Sequence, residues 1–232
     1  MDVAILFSGG KDSIAAYEYA KEKNWNVKYL LSVKPNRRDC YLFHYATVEM
    51  TKEISKILNE KHIYITCDVA DAEREAKLVE EVIVENKVDA VILGGVGLQE
   101  TQLRTLQETL LPHGVEVFAA HAGQDHGELM KDLIQRGYEI VISQIASDGL
   151  KDWLGATLTL GSFYKLKEAS KKFGFHLGFE GGYADTLVVD GPIFNKRLEL
   201  TDVSKVYESE YNGYVKVNNY DITSKKIESS MK

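Results

Sequence analysis

Short apolar runs alternate with helical patterns through the first two thirds of the chain, and this alternation limits the folds it can adopt. Five runs have the length of strands and are apolar at most positions: residues 3–7, 27–31, 63–65, 90–93 and 115–118. Strands that are buried on both faces of a sheet show this pattern. The segments between them carry apolar residues at helical spacing, as at Ile54 and Leu58. Repeated strand–helix–strand units predict an α/β fold with a doubly wound, mostly parallel sheet.

The pattern changes after about residue 137. The expected strands there are residues 138–145, 187–189, 197–200, 203–207 and 214–217, with a helix around residues 163–173. The pair Asn212-Gly213 indicates a turn between two of these strands, which favours hairpin pairing. We therefore predict an α/β domain over residues 1–136 and a smaller α+β domain over residues 137–232.

Charge and cysteine content exclude several classes of protein. The 232 residues include 28 Lys+Arg and 35 Asp+Glu, for a net charge of −7, which argues against a broad nucleic-acid-binding face. Cys40 and Cys67 match neither a disulfide framework nor a zinc motif. No run reaches the roughly 18 apolar residues of a membrane span, and no signal peptide precedes the first strand. We expect a cytoplasmic protein with no membrane or direct nucleic-acid partner.

The segment between the first strand and the first helix has the composition of a phosphate-binding loop. It reads Ser8, Gly9, Gly10, Lys11, Asp12, Ser13. Consecutive glycines permit a tight turn and a close approach of ligand, and the start of a helix attracts anions. Lys11 adds a charge, and both serines can donate hydrogen bonds to phosphate oxygens. Asp12 would repel phosphate unless a cation lies between them, so it is predicted to hold Mg²⁺; the alternative is a plain turn in which Asp12 caps the helix.

The loop SGGKDS after an apolar strand resembles that of the N-type ATP pyrophosphatases, the PP-loop superfamily. These enzymes cleave ATP between its α- and β-phosphates and adenylate a substrate. The resemblance implies a Rossmann-like domain of the adenine nucleotide alpha hydrolase type over residues 1–136, with ATP and Mg²⁺ as cofactors. Further ATP-binding positions are expected where the second and fourth strands end, at Ser32, Val33, Gly94 and Gly95.

A second unusual stretch, EGGYADTLVVDGPIF, occupies residues 180–194. Its acids Glu180, Asp185 and Asp190 can supply oxygens to a metal or an amine, and Gly181 and Gly182 can let a ligand approach the backbone. The alternative is a glycine turn that leads into a strand with solvated acidic residues.

This stretch resembles the signature E-G-G-E-[FY]-x-T-[FL]-V-x-D-x-P-x-F of the diphthine-ammonia ligase (diphthamide synthase) family. The segment YLFH that ends at His44, the W-L-G at residues 153–155 and Gln102 also correspond, so the resemblance covers about residues 2–208. The chain departs from the family at Tyr183, where the signature has glutamate, and at Ala156, where arginine is usual.

The resemblance implies a ligase that forms a carbon–nitrogen bond. A carboxylate would attack the α-phosphorus of ATP, and ammonia would then displace AMP from the acyl-adenylate. The implied substrate is diphthine on translation elongation factor 2, and the implied catalytic residues are Lys11, Asp12, Glu180 and Asp185. The implied substrate-binding residues are His44, Gln102, Glu180, Gly181, Gly182, Thr186 and Asp190.

Two alternatives to this function stay open. One is a related amidoligase that acts on another carboxylate, and the other is a non-catalytic ATP-binding sensor. The sequence leaves the oligomeric state open, a homodimer included.

His121, Asp125 and His126 form a local cluster in the sequence. Its spacing matches no metal motif, and a helix cap at Asp125 explains it equally well.

Overall fold

In the computed structural model, the first part of the chain forms a parallel sheet. The structure describes residues 1–36, 46–95 and 100–225, the side chains of residues 100–102 excepted. Its strands are β1 (Asp2–Leu6), β2 (Asn26–Pro35), β3 (His62–Cys67), β4 (Ala90–Leu93) and β5 (Glu116–Ala119). They lie in the order β3-β2-β1-β4-β5, and every pair is parallel. The predicted α/β fold is confirmed.

Helices connect these strands and cover the sheet. They are α1 (Lys11–Glu22), α2 (Thr51–Leu58), α3 (Ala72–Glu85), α4 (Glu100–Leu110) and α5 (His126–Gln135). Short 3-10 turns lie at Val48–Met50 and Leu111–His113. The chain runs outward in one direction from β1 to β3 and in the other through β4 and β5, so the strand order reverses beside β1. Sheets of this kind bind ligands in the crevice at that point, outside the carboxyl ends of the strands.

An antiparallel sheet forms the second part of the chain. Its elements are β6 (Glu139–Ala146), β7 (Thr157–Leu158), α6 (Leu160–Phe173), β8 (Ala184–Asp190), β9 (Lys196–Tyr207) and β10 (Asn212–Ser224), with a 3-10 turn at Lys151–Trp153. β6 pairs with β8 on one edge, and β7 and β10 pair with its other edge. Thr159 and Ser162 form a capping box at the start of α6, and Gly174, with a φ of +79°, ends the helix.

The hairpin of β9 and β10 differs in detail from the sequence prediction. β9 is one continuous strand where two were expected, because its pairing with β10 absorbs register shifts near Asn219 without ending the ladder. The pair Asn212-Gly213 begins β10 and does not form the turn, which the preceding residues make: the Glu208 amide donates to the Asn212 carbonyl. The hairpin itself was predicted correctly.

The two sheets share one hydrophobic core. A single cluster of buried side chains joins Ile5 of β1 and Ile14 of α1 to Ile142 of β6, Phe163 of α6 and Leu187 of β8. A second cluster packs α3 and α4 against the other face of the parallel sheet. The predicted domain boundary at residue 136 falls between α5 and β6, and it remains a prediction. In the part of the chain that the structure describes, each helix is too short or too polar to cross a membrane.

Phe163 and its neighbour Tyr164 test the importance of this shared core. Phe163 is fully buried, whereas Tyr164 is 55% exposed on the same helix. We expect Phe163→Ala to lower the free energy of unfolding by about 3–5 kcal/mol, because it removes buried apolar surface and leaves a cavity. Tyr164→Ala should lower it by less than about 1 kcal/mol. Urea unfolding followed by circular dichroism measures both values, and equal losses would contradict the assignment of Phe163 to the core.

Candidate active site

A cavity of about 380 Å³ opens at the carboxyl ends of β1, β2 and β4, and the segment that leads into β8 closes its other side. Most of the residues that the sequence singles out line it. They are Ser8, Gly10, Lys11, Asp12, Ser13, Val33, Gly94, Gly95, Glu180, Gly181, Gly182, Asp185 and Thr186. The loop at residues 8–13 and the stretch that begins at Glu180 therefore face a common space.

The loop at residues 8–13 turns sharply from β1 into α1. Gly9 has a φ of +77°, a conformation that favours glycine. Gly10 is the N-cap of α1 and supplies no side-chain acceptor to the first turn. Gly94 lies against this turn so closely that a Cβ there would overlap the backbone of Asp12 and lie 2.6 Å from the Ser13 nitrogen. The start of α1, whose amide dipoles attract anions, therefore faces the cavity.

The second motif holds this loop in place through backbone and hydroxyl contacts. The Lys11 amide donates to the Thr186 Oγ1 over 3.1 Å, and the Val188 amide donates to the Gly9 carbonyl over 2.9 Å. A Cβ on Gly10 would lie 2.9 Å from the Thr186 carbonyl oxygen, so the two segments can approach this closely only because residue 10 is glycine. Thr186 thus positions the start of α1 as well as lining the cavity.

A chain of charged side chains lies at the end of the cavity next to the start of α1, which is the head of the cavity. The Lys11 Nζ lies 2.6 Å from the Asp12 Oδ2, and the other Asp12 oxygen, Oδ1, lies 3.0 Å from the His126 Nδ1. The same His126 Nδ1 lies 2.9 Å from the Glu180 Oε1. Asp125, the N-cap of α5, accepts from the amides of the next turn and so fixes the helix start that carries His126. The interpretation of Asp125 as a helix cap is confirmed.

These contacts set the charge states of the group. Burial opposes ionisation of Asp12, but Lys11 and His126 outweigh it and hold the pKa of this carboxyl well below its usual range. Burial likewise lowers the pKa of His126, but the hydrogen bonds and charges of Asp12 and Glu180 outweigh it and raise that pKa to about 9. At neutral pH an imidazolium therefore links two carboxylates.

Three of the predicted site residues do not line the cavity. The carbonyl of Gly9 faces β8, where it accepts from the Val188 amide. Ser32 is buried behind the cavity wall, where its hydroxyl donates to the Phe7 carbonyl over 2.6 Å. Asp190 ends β8, five residues or roughly 17 Å from Asp185, and its carboxylate accepts from the Gly191 amide and pairs with Lys225.

Two further predicted residues cannot be placed in the site. His44 lies outside the described residues. Gln102 belongs to α4 by its backbone, but its side chain also lies outside them.

Sequence reasoning assigned no site role to several residues that the fold brings to the cavity or to the charged groups that line it. His126 is 114 positions from Asp12, and its sequence neighbourhood signals only the cap at Asp125. The far end of the cavity is lined by Gln144, Glu208, Asn212 and Tyr214, which come from β6 and from the turn end of the β9–β10 hairpin. No local motif marks these positions, because the antiparallel register alone places Tyr214 opposite Gln144.

The close approach of Gly94 to the loop can be tested with a matched pair of substitutions. We expect Gly94→Ala to lower the free energy of unfolding by about 1–3 kcal/mol or more, because the added Cβ must push β4 away from α1. Gly161→Ala adds the same atom at a helix position where the nearest group is 3.9 Å away, and should change stability by less than about 1 kcal/mol. Chemical unfolding of both variants measures the difference. A harmless Gly94→Ala would contradict the tight contact.

Comparisons with known proteins agree with this arrangement. The diphthamide synthase N-terminal domain matches residues 1–109, and the diphthamide synthase C-terminal domain matches residues 125–222. Proteins named diphthine–ammonia ligase are similar along nearly the whole chain. The protein from Homo sapiens is 25% identical, with 89% of this chain and 85% of that protein covered. The one from Danio rerio is 24% identical, with 90% of both covered. The one from Schizosaccharomyces pombe is 28% identical, with 90% of this chain and 38% of that longer protein covered.

The two domain matches follow each other in order and leave only short stretches of the chain unmatched. They also separate the two motifs. The loop at residues 8–13, the phosphate loop, lies in the first match, and the stretch at residues 180–194, the E-G-G stretch, lies in the second. The chain belongs to the diphthamide synthase family and is an enzyme of the ligase class, one that forms a carbon–nitrogen bond.

Proposed function

We propose that the protein uses ATP to convert a carboxylate into an amide through an acyl-adenylate, releasing AMP and pyrophosphate. The proposed carboxylate is that of diphthine on translation elongation factor 2, and the proposed nitrogen source is ammonia. The names of the relatives support a place in diphthamide biosynthesis in general. The observation that carries the mechanism is the direct contact between the phosphate loop and the E-G-G stretch, Lys11 amide to Thr186 Oγ1, at one shared cavity.

The phosphate loop fits the triphosphate of ATP. The helix start at Gly10 offers backbone amides, Ser8 and Ser13 line the same wall with hydroxyl groups, and Lys11 brings a cation that is only 3% exposed. Anions are stabilised at such a site because amide dipoles and a full charge act together away from bulk water. Lys11 would stabilise the charge that develops on pyrophosphate as it leaves the α-phosphorus.

Asp12 provides the oxygen ligands that a divalent cation requires. The carboxylate lines the cavity and stays ionised, since its pKa lies well below the usual range. A bound Mg²⁺ neutralises phosphate charge and orients the reacting phosphates. Asp12 would therefore hold the cation on the side of the cavity where the phosphates lie.

The second wall of the cavity would bind the acceptor and the nitrogen donor. In the first step a carboxylate oxygen bonds to the α-phosphorus, and the bond from that phosphorus to pyrophosphate breaks. In the second step the ammonia nitrogen bonds to the acyl carbon, AMP leaves with the electron pair of the broken bond, and the nitrogen loses a proton. Glu180 and Asp185 line this wall, and a carboxylate there can orient ammonium and accept the proton.

The assay that tests this function uses Mg·ATP, ammonium and elongation factor 2 that carries diphthine. We expect AMP and pyrophosphate to form together, with the mass of the factor changing from acid to amide. If AMP forms only with another carboxylate, that carboxylate replaces diphthine as the proposed substrate, and the assignment as an amidoligase is retained. Tight ATP binding without AMP, under every substrate tested, would overturn the proposed reaction and favour a non-catalytic sensor.

A matched pair of lysine variants tests the role of the loop. Lys11→Met removes the buried cation with little change of volume, and we expect kcat/KM to fall by at least about 100-fold, as on loss of one electrostatic donor to a transition state. Lys21→Met alters an exposed lysine of the same helix that pairs with Glu60, and should leave kcat/KM unchanged. Circular dichroism verifies that both variants are folded. Full turnover in Lys11→Met would exclude Lys11 from catalysis.

A further inference from the structure

Three potential metal ligands from distant parts of the sequence converge at the head of the cavity. They are the carboxylates of Asp12 and Glu180 and the imidazole of His126, with ligand atoms all within 4.8 Å of one another. The His126 Nδ1 lies 3.0 Å from the Asp12 Oδ1 and 2.9 Å from the Glu180 Oε1. The Lys11 Nζ pairs with the other Asp12 oxygen, Oδ2, and Oδ1 is the oxygen that faces the imidazole.

The spacing of these atoms is that of ligands around one divalent ion. Nitrogen and oxygen ligands lie about 2.0–2.2 Å from such an ion, so two ligands at right angles are about 3 Å apart. The distances from the His126 Nδ1 to the Asp12 Oδ1 and to the Glu180 Oε1 both fall at this value. An ion could therefore replace the shared proton of His126 with small shifts of the side chains.

The surroundings hold the three ligands in place and leave room for them to converge. The side chain of His126 is only 6% exposed and that of Glu180 is 14% exposed. A Cβ on Gly95 would lie 2.7 Å from the Glu180 Oε1, and one on Gly178 would lie 2.5 Å from the His126 Cβ. Because both neighbours are glycine, the carboxylate and the imidazole reach the same point without a clash.

The nitrogen donor decides which ion fits best. Mg²⁺ takes oxygen ligands almost exclusively, whereas an imidazole with carboxylates suits ions from Mn²⁺ to Zn²⁺. Three protein ligands fill only part of the coordination sphere of such an ion, and two of them, Asp12 and Glu180, line the cavity. The remaining positions would face the space where the phosphate oxygens of a nucleotide are expected.

We propose that Asp12, His126 and Glu180 form a binding site for one divalent transition-metal ion, which the protein holds before nucleotide arrives. The inference rests on the proposed function for the metal role of Asp12, and it replaces Mg²⁺ there with an ion that a second carboxylate and an imidazole also bind. The ion would join the first turn of α1 to the start of α5 and to the E-G-G stretch.

The test measures metal binding by the full chain without nucleotide. The metal-free protein is titrated with Mn²⁺, the free ion is quantified by electron paramagnetic resonance, and Mg²⁺ and Zn²⁺ are added as competitors. We expect one Mn²⁺ per chain, displacement by Zn²⁺, and an affinity for Mg²⁺ at least about tenfold weaker. Absence of Mn²⁺ and Zn²⁺ binding, or displacement by Mg²⁺ at equal concentration, would overturn the proposal.

Substitutions assign the ligands. His126→Gln keeps a polar side chain but removes the ring nitrogen, and should weaken Mn²⁺ binding by at least about 100-fold, more than the loss of a group that only supports a ligand. Glu180→Gln should weaken it as well. His113→Gln is the matched control, because His113 also pairs with a glutamate, Glu80 at 2.7 Å, but on the surface with one carboxylate. Its Mn²⁺ affinity should equal that of the unaltered protein.

Pulsed electron paramagnetic resonance of the unaltered protein provides a readout that does not depend on the folding of a variant. Nitrogen coupling to the bound Mn²⁺ is expected from the His126 ring, and labelling the histidines with ¹⁵N should change it. Bound Mn²⁺ without nitrogen coupling would overturn the site. Metal binding without AMP formation would refute the proposed function alone, whereas AMP formation without metal binding in the absence of nucleotide would refute this inference alone.

Discussion

The contact of β8 with the phosphate loop is the interaction on which the rest of the structure depends. The Thr186 Oγ1 accepts from the Lys11 amide at the first turn of α1, and the Val188 amide donates to the Gly9 carbonyl. These bonds connect a parallel sheet to an antiparallel sheet at the point where both motifs open onto the cavity. Burial of Leu187 between them adds apolar contact to the polar bonds. The two walls of the cavity that these motifs form are thereby kept at a fixed separation.

The charged groups at the head of the cavity are largely buried, and burial requires each of them to have a partner of opposite charge. The chain carries a net charge of −7, so the field of the whole protein does not attract a polyphosphate. The site instead concentrates charge locally, with Lys11 and His126 placed against Asp12 and Glu180. Each of these charges has an opposite partner within 3.0 Å, which buried charges require. Loss of one member would leave its partner buried without compensation, so the four groups act as a unit.

The sequence predicts the parts of the protein whose signals are local. Strands buried on both faces have continuous apolar runs, and the glycines at residues 9 and 10 mark a turn where a side chain would clash, so the parallel sheet and the loop were predictable. The partnership of Asp12 with His126 was not, because it depends on the packing of α5 against the start of α1. Asp190 shows the converse: it belongs to the same sequence motif as Asp185, but an extended strand carries it to the opposite end of β8.

The same distinction bears on the shape of the cavity. Tyr183, where the chain departs from the family signature, packs partly buried against the hydrophobic core, and the described lining of the cavity does not include it. The far end of the lining includes Gln144, Asn212 and Tyr214, whose positions are set by the antiparallel pairing of β6 with β10. A slip of one residue in that pairing would turn every one of these side chains of β10 to the other face. The shape of the far end of the cavity therefore depends on strand register in the second sheet, whereas the loop at residues 8–13 depends on the turn that follows β1.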